Sequence, residues 1–380
     1  MSNRWVALVL VFLTRSSMGF QFGAIPAAQP LIVADLHLSY AQFGWVFGLY
    51  LLPGVVFAAP GGLIGQRFGE RRVVIGGLAL MAIGATMTAL AGGFATATAG
   101  RLVSGVGAVL MNILLSRLIS DWFAGKELAT AMAVMLTSWP VGLGLATSTL
   151  GGVAAHWGWR WMIVLTAAAA LLGLALMLIF REAPRVDAGP QRAALTRRDV
   201  AISVAGGFAW GCFNASLVVI IAFAPALLLA QGTTLGQAGS IVSLAIWLTI
   251  VSIPLGGLLG DRLGRPNLMI VAGSLVAAAV TLAIPVVTPA VLAFCLVGFA
   301  IGPPPGPLMA LLPRALPPER LTTGFGVFYT VFYVMMALTQ PLAGFVRDRA
   351  ADPVAPIVFA AVVMAATVAG LGLFRWLEQG

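Results

Sequence analysis

One arginine stands in the middle of the first long apolar run, in the stretch VFLTRSSMGFQFGAIP at residues 11–26. A guanidinium keeps its proton in a protein and offers five N–H donors in a fixed fork. Arg15 can therefore hold an anion but cannot relay protons. A charge at the centre of a bilayer costs about 2.5–3.5 kcal/mol on insertion scales, which makes such a residue a functional candidate by default. Arg15, Gly19, Phe22 and Pro26 share one helical face by spacing, and the polar cluster Thr14, Arg15, Ser16 and Ser17 would be costly against lipid. The first helix is thus expected to border a cavity. Two blander roles remain open at this stage: Arg15 ties helices together through backbone carbonyls, or it snorkels to the membrane surface.

Further candidates lie in other apolar runs. Trp210 and Asn214 are four residues apart on one helical face, where the indole can stack on a planar group and the amide can hydrogen-bond one. Tyr329, Tyr333, Met336 and Gln340 form a second stripe at helical spacing. Arg101, with Gly105, Ala108 and Asn112 continuing its face, lies in the outer part of a fourth run, within snorkelling reach of the interface. Each stripe also fits plain helix packing. The absences matter equally. All twelve acidic residues fall at the ends of apolar runs or between them, and both histidines, His37 and His156, lie on the outer side. No carboxylate or imidazole is left in a span to carry protons. Cys212 and Cys295 fall inside runs as small apolar residues, and nothing resembles a metal or cofactor site. A membrane enzyme would need a clustered nucleophile or acid–base pair that this chain does not offer.

The elements that must position these groups follow from composition. Of 380 residues 60% are apolar and 9% charged, against roughly a quarter charged in a soluble domain. Runs of about 20 apolar residues span a bilayer as helices. Twelve are present, at 4–33, 41–64, 72–93, 96–120, 127–154, 160–180, 200–230, 235–260, 267–287, 289–313, 322–345 and 354–376. Prolines at 26, 53, 140, 225, 254 and 303–305 give several of them a reason to bend. Backbone groups freed at such bends need a protein or water partner.

With a cytoplasmic N-terminus, most basic residues fall inside and only Arg160, Arg347 and Arg349 fall outside. This positive-inside asymmetry places both termini in the cytoplasm. The net charge of +9 is then explained by topology and anionic lipid, without nucleic acid. A cleaved signal is not expected, because Arg15 interrupts the first run and no small-residue cleavage site follows. Residues 181–199, REAPRVDAGPQRAALTRRD, read as a cytoplasmic linker between an N-terminal six-helix bundle, 1–180, and a C-terminal one, 200–380. A repeat supports the division. GGLIGQRFG at 61–69 recurs 195 residues later as GGLLGDRLG, identical at six of nine positions. The same shift carries Arg15 onto Trp210. Two similar halves in one orientation are typical of transporters that rock about a central site.

These loops resemble the G-x-x-x-D-R-x-G-x-R-R signature of the major facilitator superfamily. Gly62, Arg67, Gly69, Arg71 and Arg72 match in the first half, and Gly257, Asp261, Arg262, Gly264 and Arg265 in the second. RLVSGVGA, from Arg101, is similar to a second family motif. The resemblance implies an all-α membrane protein of twelve transmembrane helices in two pseudo-symmetric bundles, monomeric, with no cofactor, and with the two loops acting in gating. Gln66, Arg67, Gly69, Asp261, Arg262 and Gly264 would form that gate with Arg101. Gln66 departs from the signature's acid, so the first clasp is expected to be weaker unless Glu70 substitutes. The cyanate and nitroimidazole branch is also similar, through an arginine in helix 1 followed by a proline and through ADLHLS at 34–39.

The expectation is a carrier in a bacterial inner membrane that moves a small anion, an organic carboxylate or a linear inorganic anion, by alternating access. Arg15, Asn112, Trp210, Asn214, Tyr329, Tyr333 and Gln340 would line its site. The alternative is export of neutral or amphipathic compounds, favoured by the aromatic and Met content.

Overall fold

The computed structural model describes residues 3–58, 60–123, 127–183 and 194–379, without the side chains of Ala129 and Asp261. Twelve helical segments are long and apolar enough to cross a membrane. In chain order they are α1 Arg4–Ala27, α2 Tyr40–Phe57, α3 Glu70–Ala89, α4 Phe94–Trp122, α5 Thr130–Trp157, α6 Trp159–Ile179, α7 Arg197–Ala230, α8 Leu235–Gly260, α9 Pro266–Ala283, α10 Ala290–Ala315, α11 Pro318–Ala350 and α12 Ala355–Gln379.

Prolines decide where apolar runs break. The run expected over 4–33 stops at Ala28, because Pro30 has no N–H for the carbonyl of Pro26; a short helix, Gln29–Asp35, follows. Within α2 the helix Tyr40–Gly48 ends in a turn before Pro53, and Pro53–Phe57 resumes it. In α10 the prolines at 303–305 separate Ala290–Ala300 from Pro305–Met309. Pro140, Pro225 and Pro254 sit inside helices that continue through them. The start of the second half also shifts. Thr196 accepts from the Asp199 N–H while Asp199 accepts from the Thr196 N–H, and this capping box begins α7 at Arg197, inside the expected linker. The linker's centre, 184–193, lies outside the described residues.

Within the first half the heaviest pairings are α3 with α4 and α1 with α5; within the second they are α7 with α12 and α7 with α11. Between halves the chain pairs α5 with α8 and α2 with α11. These two seams are related by the repeat, since α2 corresponds to α8 and α5 to α11. Glycine makes both possible. Gly44 of α2 lies against the backbone of Gln340 and Pro341 in α11, and Gly239 of α8 against the carbonyl of Thr147 in α5, with no room for a Cβ at either.

The close approaches at Gly44, Gly48, Gly239 and Gly344 all occur toward the face opposite the arginine-rich loops. There Asp348 of α11 accepts from the backbone N–H groups of Tyr40 and Ala41, both at 2.9 Å, so one half caps the first turn of a helix in the other. The Arg347 guanidinium lies over the Tyr40 ring, 5.0 Å from its centroid. Toward the arginine-rich face, Leu136 of α5 and Leu255 of α8 are exposed, and Phe325, Tyr329 and Phe332 in the first half of α11 are only half-buried. The halves are shut on one face and parted on the other.

Candidate functional site

Arg15 sits midway along α1, 7% exposed, and the first bundle orients its fork. Nε donates to Asn112 Oδ1 of α4 at 2.8 Å. Nη1 donates into α5, to the carbonyls of Met135 at 3.2 Å and Leu136 at 3.3 Å and to Ser138 Oγ at 3.0 Å. Leu136 is four residues before Pro140, so its carbonyl has lost its helical donor and Arg15 supplies one. Nη2 has no acceptor among the described residues and keeps some accessible surface. Arg15 therefore does what the bland reading asked, tying helices through carbonyls, and still presents one amino group. Every acceptor named is neutral, so the charge itself is unpaired by these contacts.

The second bundle contributes rings. Trp210 of α7 stacks on Phe213 at 6.1 Å and on Phe332 of α11 at 6.4 Å between centroids. Phe332 meets Tyr329 edge-on at 6.0 Å and Tyr333 at 5.1 Å, and Phe325 stacks on Tyr329 at 6.0 Å. Tyr329 and Tyr333 both lie near enough to Arg15 for their hydroxyls to feel its charge. A cation held by one half thus faces an aromatic wall on the other.

The expected lining residues separate on this geometry. Arg15, Asn112, Tyr329 and Tyr333 come together, with Trp210 in the wall behind them. Asn214 turns back and donates through Nδ2 to the Trp210 carbonyl at 2.8 Å. Gln340 lies seven residues past Tyr333, about 10 Å further along the helix. It is 1% exposed, in the closed seam against Gly44. Sequence reasoning missed the α5 carbonyls, although Pro140 signals a free acceptor at Leu136. It also missed Gly54, whose Cα receives the Tyr333 ring and leaves no room for a Cβ.

Arg101 differs from its expected snorkelling position. It is 2% exposed, with its guanidinium over the Tyr50 ring at 4.3 Å and Nε donating to the Val46 carbonyl at 3.3 Å. The ring face and carbonyls inside the bundle offer a better electrostatic environment than a longer reach past packed helices. At the first arginine-rich loop Glu70 is buried and pairs with Arg117 of α4 at 2.8 Å. The Gln66 side-chain oxygen, in the orientation that faces donors, accepts from Arg117 Nη1 at 2.9 Å and Nη2 at 3.0 Å. Glu70 thus places a carboxylate on the same arginine that Gln66 faces. Gly69, at φ 88°, makes the turn between them, and Arg67 is exposed over Phe68. In the second loop Gly264, at φ 61°, ends the helix that carries Arg262. The Asp261 side chain lies outside the described residues.

Two six-helix bundles, closed over one face and holding Arg15 opposite a ring-lined wall, define a membrane carrier. The chain matches the Major Facilitator Superfamily model over residues 10–339 and belongs to that superfamily of secondary transporters. It is 30% identical over 289 residues to the 3-(3-hydroxy-phenyl)propionate transporter of Escherichia coli K12, covering 72% of this chain and 70% of that one. It is 23% identical to the hexuronate transporter of Bacillus subtilis, covering 68% of this chain and 63% of the relative. Its fold is similar to the inward-open xylose transporter of E. coli, with a TM-score of 0.80 at 16% identity, covering 98% of this chain and 96% of that one.

Proposed function

We propose that the protein carries a small organic anion, an aromatic carboxylate, across a bacterial inner membrane by alternating access, as a uniporter or an exchanger and as a monomer. The observation that carries this reading is the division of labour at the centre: Nη2 of Arg15 is free on one half, and the Trp210, Phe332 and Tyr329 rings face it from the other. A carboxylate would neutralise the guanidinium while its ring packs on the wall. Both curated relatives named above transport carboxylates by their names, one of them aromatic. By the distribution of arginines the open face is cytoplasmic, as are both termini.

The ADLHLS segment does not add a cyanate site to this picture. Asp35 there pairs with Arg160 at 2.7 Å and accepts from Trp159 Nε1, and Ser39 caps α2, so the segment builds an outer turn. Export of amphipathic compounds is the second reading, favoured by the same aromatic wall.

Uptake into proteoliposomes tests both. The panel is 3-phenylpropionate, a hexuronate, an aliphatic carboxylate, cyanate, 3-phenylpropanol and an organic cation. Saturable uptake of the aromatic acid is expected, falling by about thirtyfold or more in a folded Arg15→Gln protein, since truncating one partner of a buried charge pair costs about 2–5 kcal/mol. Equal transport of the alcohol or the cation in both proteins would overturn the anion reading in favour of the exporter.

A further inference from the structure

Polar atoms with nothing to bond are sealed into the closed seam between α2 and α11. Gln340 of α11 is 1% exposed, and its backbone lies against Gly44 of α2. Its amide offers Nε2 as a donor and Oε1 as an acceptor, and neither meets a partner among the described residues. Arg347 stands seven residues further on, so the two side chains share one face of α11 two turns apart. Between them Gly344 lies on the Tyr40 carbonyl, with no room for a Cβ. Arg347 Nε and Nη1 are likewise sealed and without an acceptor among the described residues. The Tyr40 ring, its centroid 5.0 Å from the guanidinium carbon, attracts the charge but gives these N–H groups no oxygen. The three acidic residues on this side of the chain are engaged elsewhere. Asp35 holds Arg160 and the Trp159 indole, both oxygens of Asp348 are taken by the Tyr40 and Ala41 N–H groups, and Asp352 accepts from the Val354 N–H. An arginine on this side also runs against the positive-inside pattern of the chain.

We infer that Gln340 and Arg347 are the release elements of the closed face: polar groups held without partners while the halves are shut, and returned to water when they part. A buried polar group without a partner loses what water gave it, whereas a bonded one recovers most of that loss. The glycine contacts and the Asp348 cap hold the seam shut. The stranded atoms of Gln340 and Arg347 push against them. Gln340 is the more telling of the two, because an apolar residue of its size would pack beside Gly44 without that loss. Such a balance suits a carrier, whose two arrangements must stay close in free energy if it is to pass between them. The device needs no solute and stands apart from the anion reading.

The test measures how fast a membrane-impermeant maleimide, applied from the closed side, labels Ala337→Cys in full-length protein without added solute. Ala337 is a buried position of α11 whose backbone lies against Gly48. With reagent dilute enough that reclosing outruns labelling, the rate follows the population of the open form. Gln340→Met and Arg347→Met keep an unbranched side chain and remove the stranded groups. Each is expected to label about tenfold more slowly than the parent, the scale of one stranded polar group, with Tm unchanged or higher. Adding Asp348→Ala to either is expected to bring the rate back toward that of the parent. A plain packing role predicts the opposite sign, since replacing a packing residue loosens the seam and speeds labelling. Gln340→Leu and Arg347→Leu, which drop the same groups, stand in where a Met variant does not fold. A rate equal to the parent's or faster in both positions overturns the inference, and in one alone removes that residue from it.

Discussion

Arg15 donates through Nη1 to the carbonyl of Leu136 at 3.3 Å, and Leu136 is the residue whose helical donor Pro140 removes. A helix defect in α5 and a charge in α1 satisfy each other. Pro140→Ala should restore the helical bond to Leu136 and make α5 a poorer partner for the guanidinium. We expect a folded protein of equal or higher thermal stability whose KM for the anion rises about three- to tenfold, the scale of one ordinary hydrogen bond. An unchanged KM in initial-rate uptake would separate the proline from the site.

At the closed face Asp348 caps the first turn of α2 from the other half. Asp348→Ala should remove about 0.5–2 kcal/mol from the closed outer seam, the usual worth of such a cap. The resting protein should shift toward the outward-open arrangement. Labelling of Ala337→Cys, a buried position of α11 whose backbone lies against Gly48, by a membrane-impermeant maleimide should then run several times faster than in the Asp348 background; equal rates would mean that the glycine seam alone holds this face.

Glu70 is buried and Arg117 is 37% exposed at the first arginine-rich loop. Glu70→Ala strands the arginine in a place that water still reaches, so the expected loss is about 1–2 kcal/mol, less than for a sealed pair. A fall of a few degrees in Tm should accompany it. Gln66→Asp, which returns the acid of the family signature beside Arg117, should restore most of the loss. No restoration would show that the position of Glu70 matters beyond its charge.

No acidic residue lies in the interior of a span, and arginine does not titrate in a protein. The pH dependence of transport should therefore come from the solute. Below the pKa of a carboxylic acid, about 4–5, the protonated form has no charge for Arg15, so raising the pH through that value increases uptake and further rise leaves it flat. An aromatic sulfonate, anionic throughout, should show no dependence from about pH 5 to 8. A sulfonate profile that bends within this range would reveal a titrating group of the protein.

The sequence by itself determined that this chain spans a membrane twelve times in two similar halves, because apolar length and a loop repeated at 195 residues depend on nothing distant. It also marked Arg15, since the cost of a charge in lipid is a property of the residue and its depth. It raised Glu70 as the stand-in for the missing acid at Gln66, since the two lie four residues apart along the chain. Only the tertiary structure decided what meets Arg15. Helical spacing groups Arg15 with Gly19 and Phe22, but it carries no information about which helix lies opposite. The α5 carbonyls are therefore findings of packing, and so is the hydrogen bond from Arg15 to Asn112, a residue that helical spacing places in a stripe with Arg101. The same limit explains Gln340. One stripe on α11 passes from the central space into the glycine seam, and periodicity gives Tyr333 and Gln340 the same face while depth along the membrane gives them different neighbours.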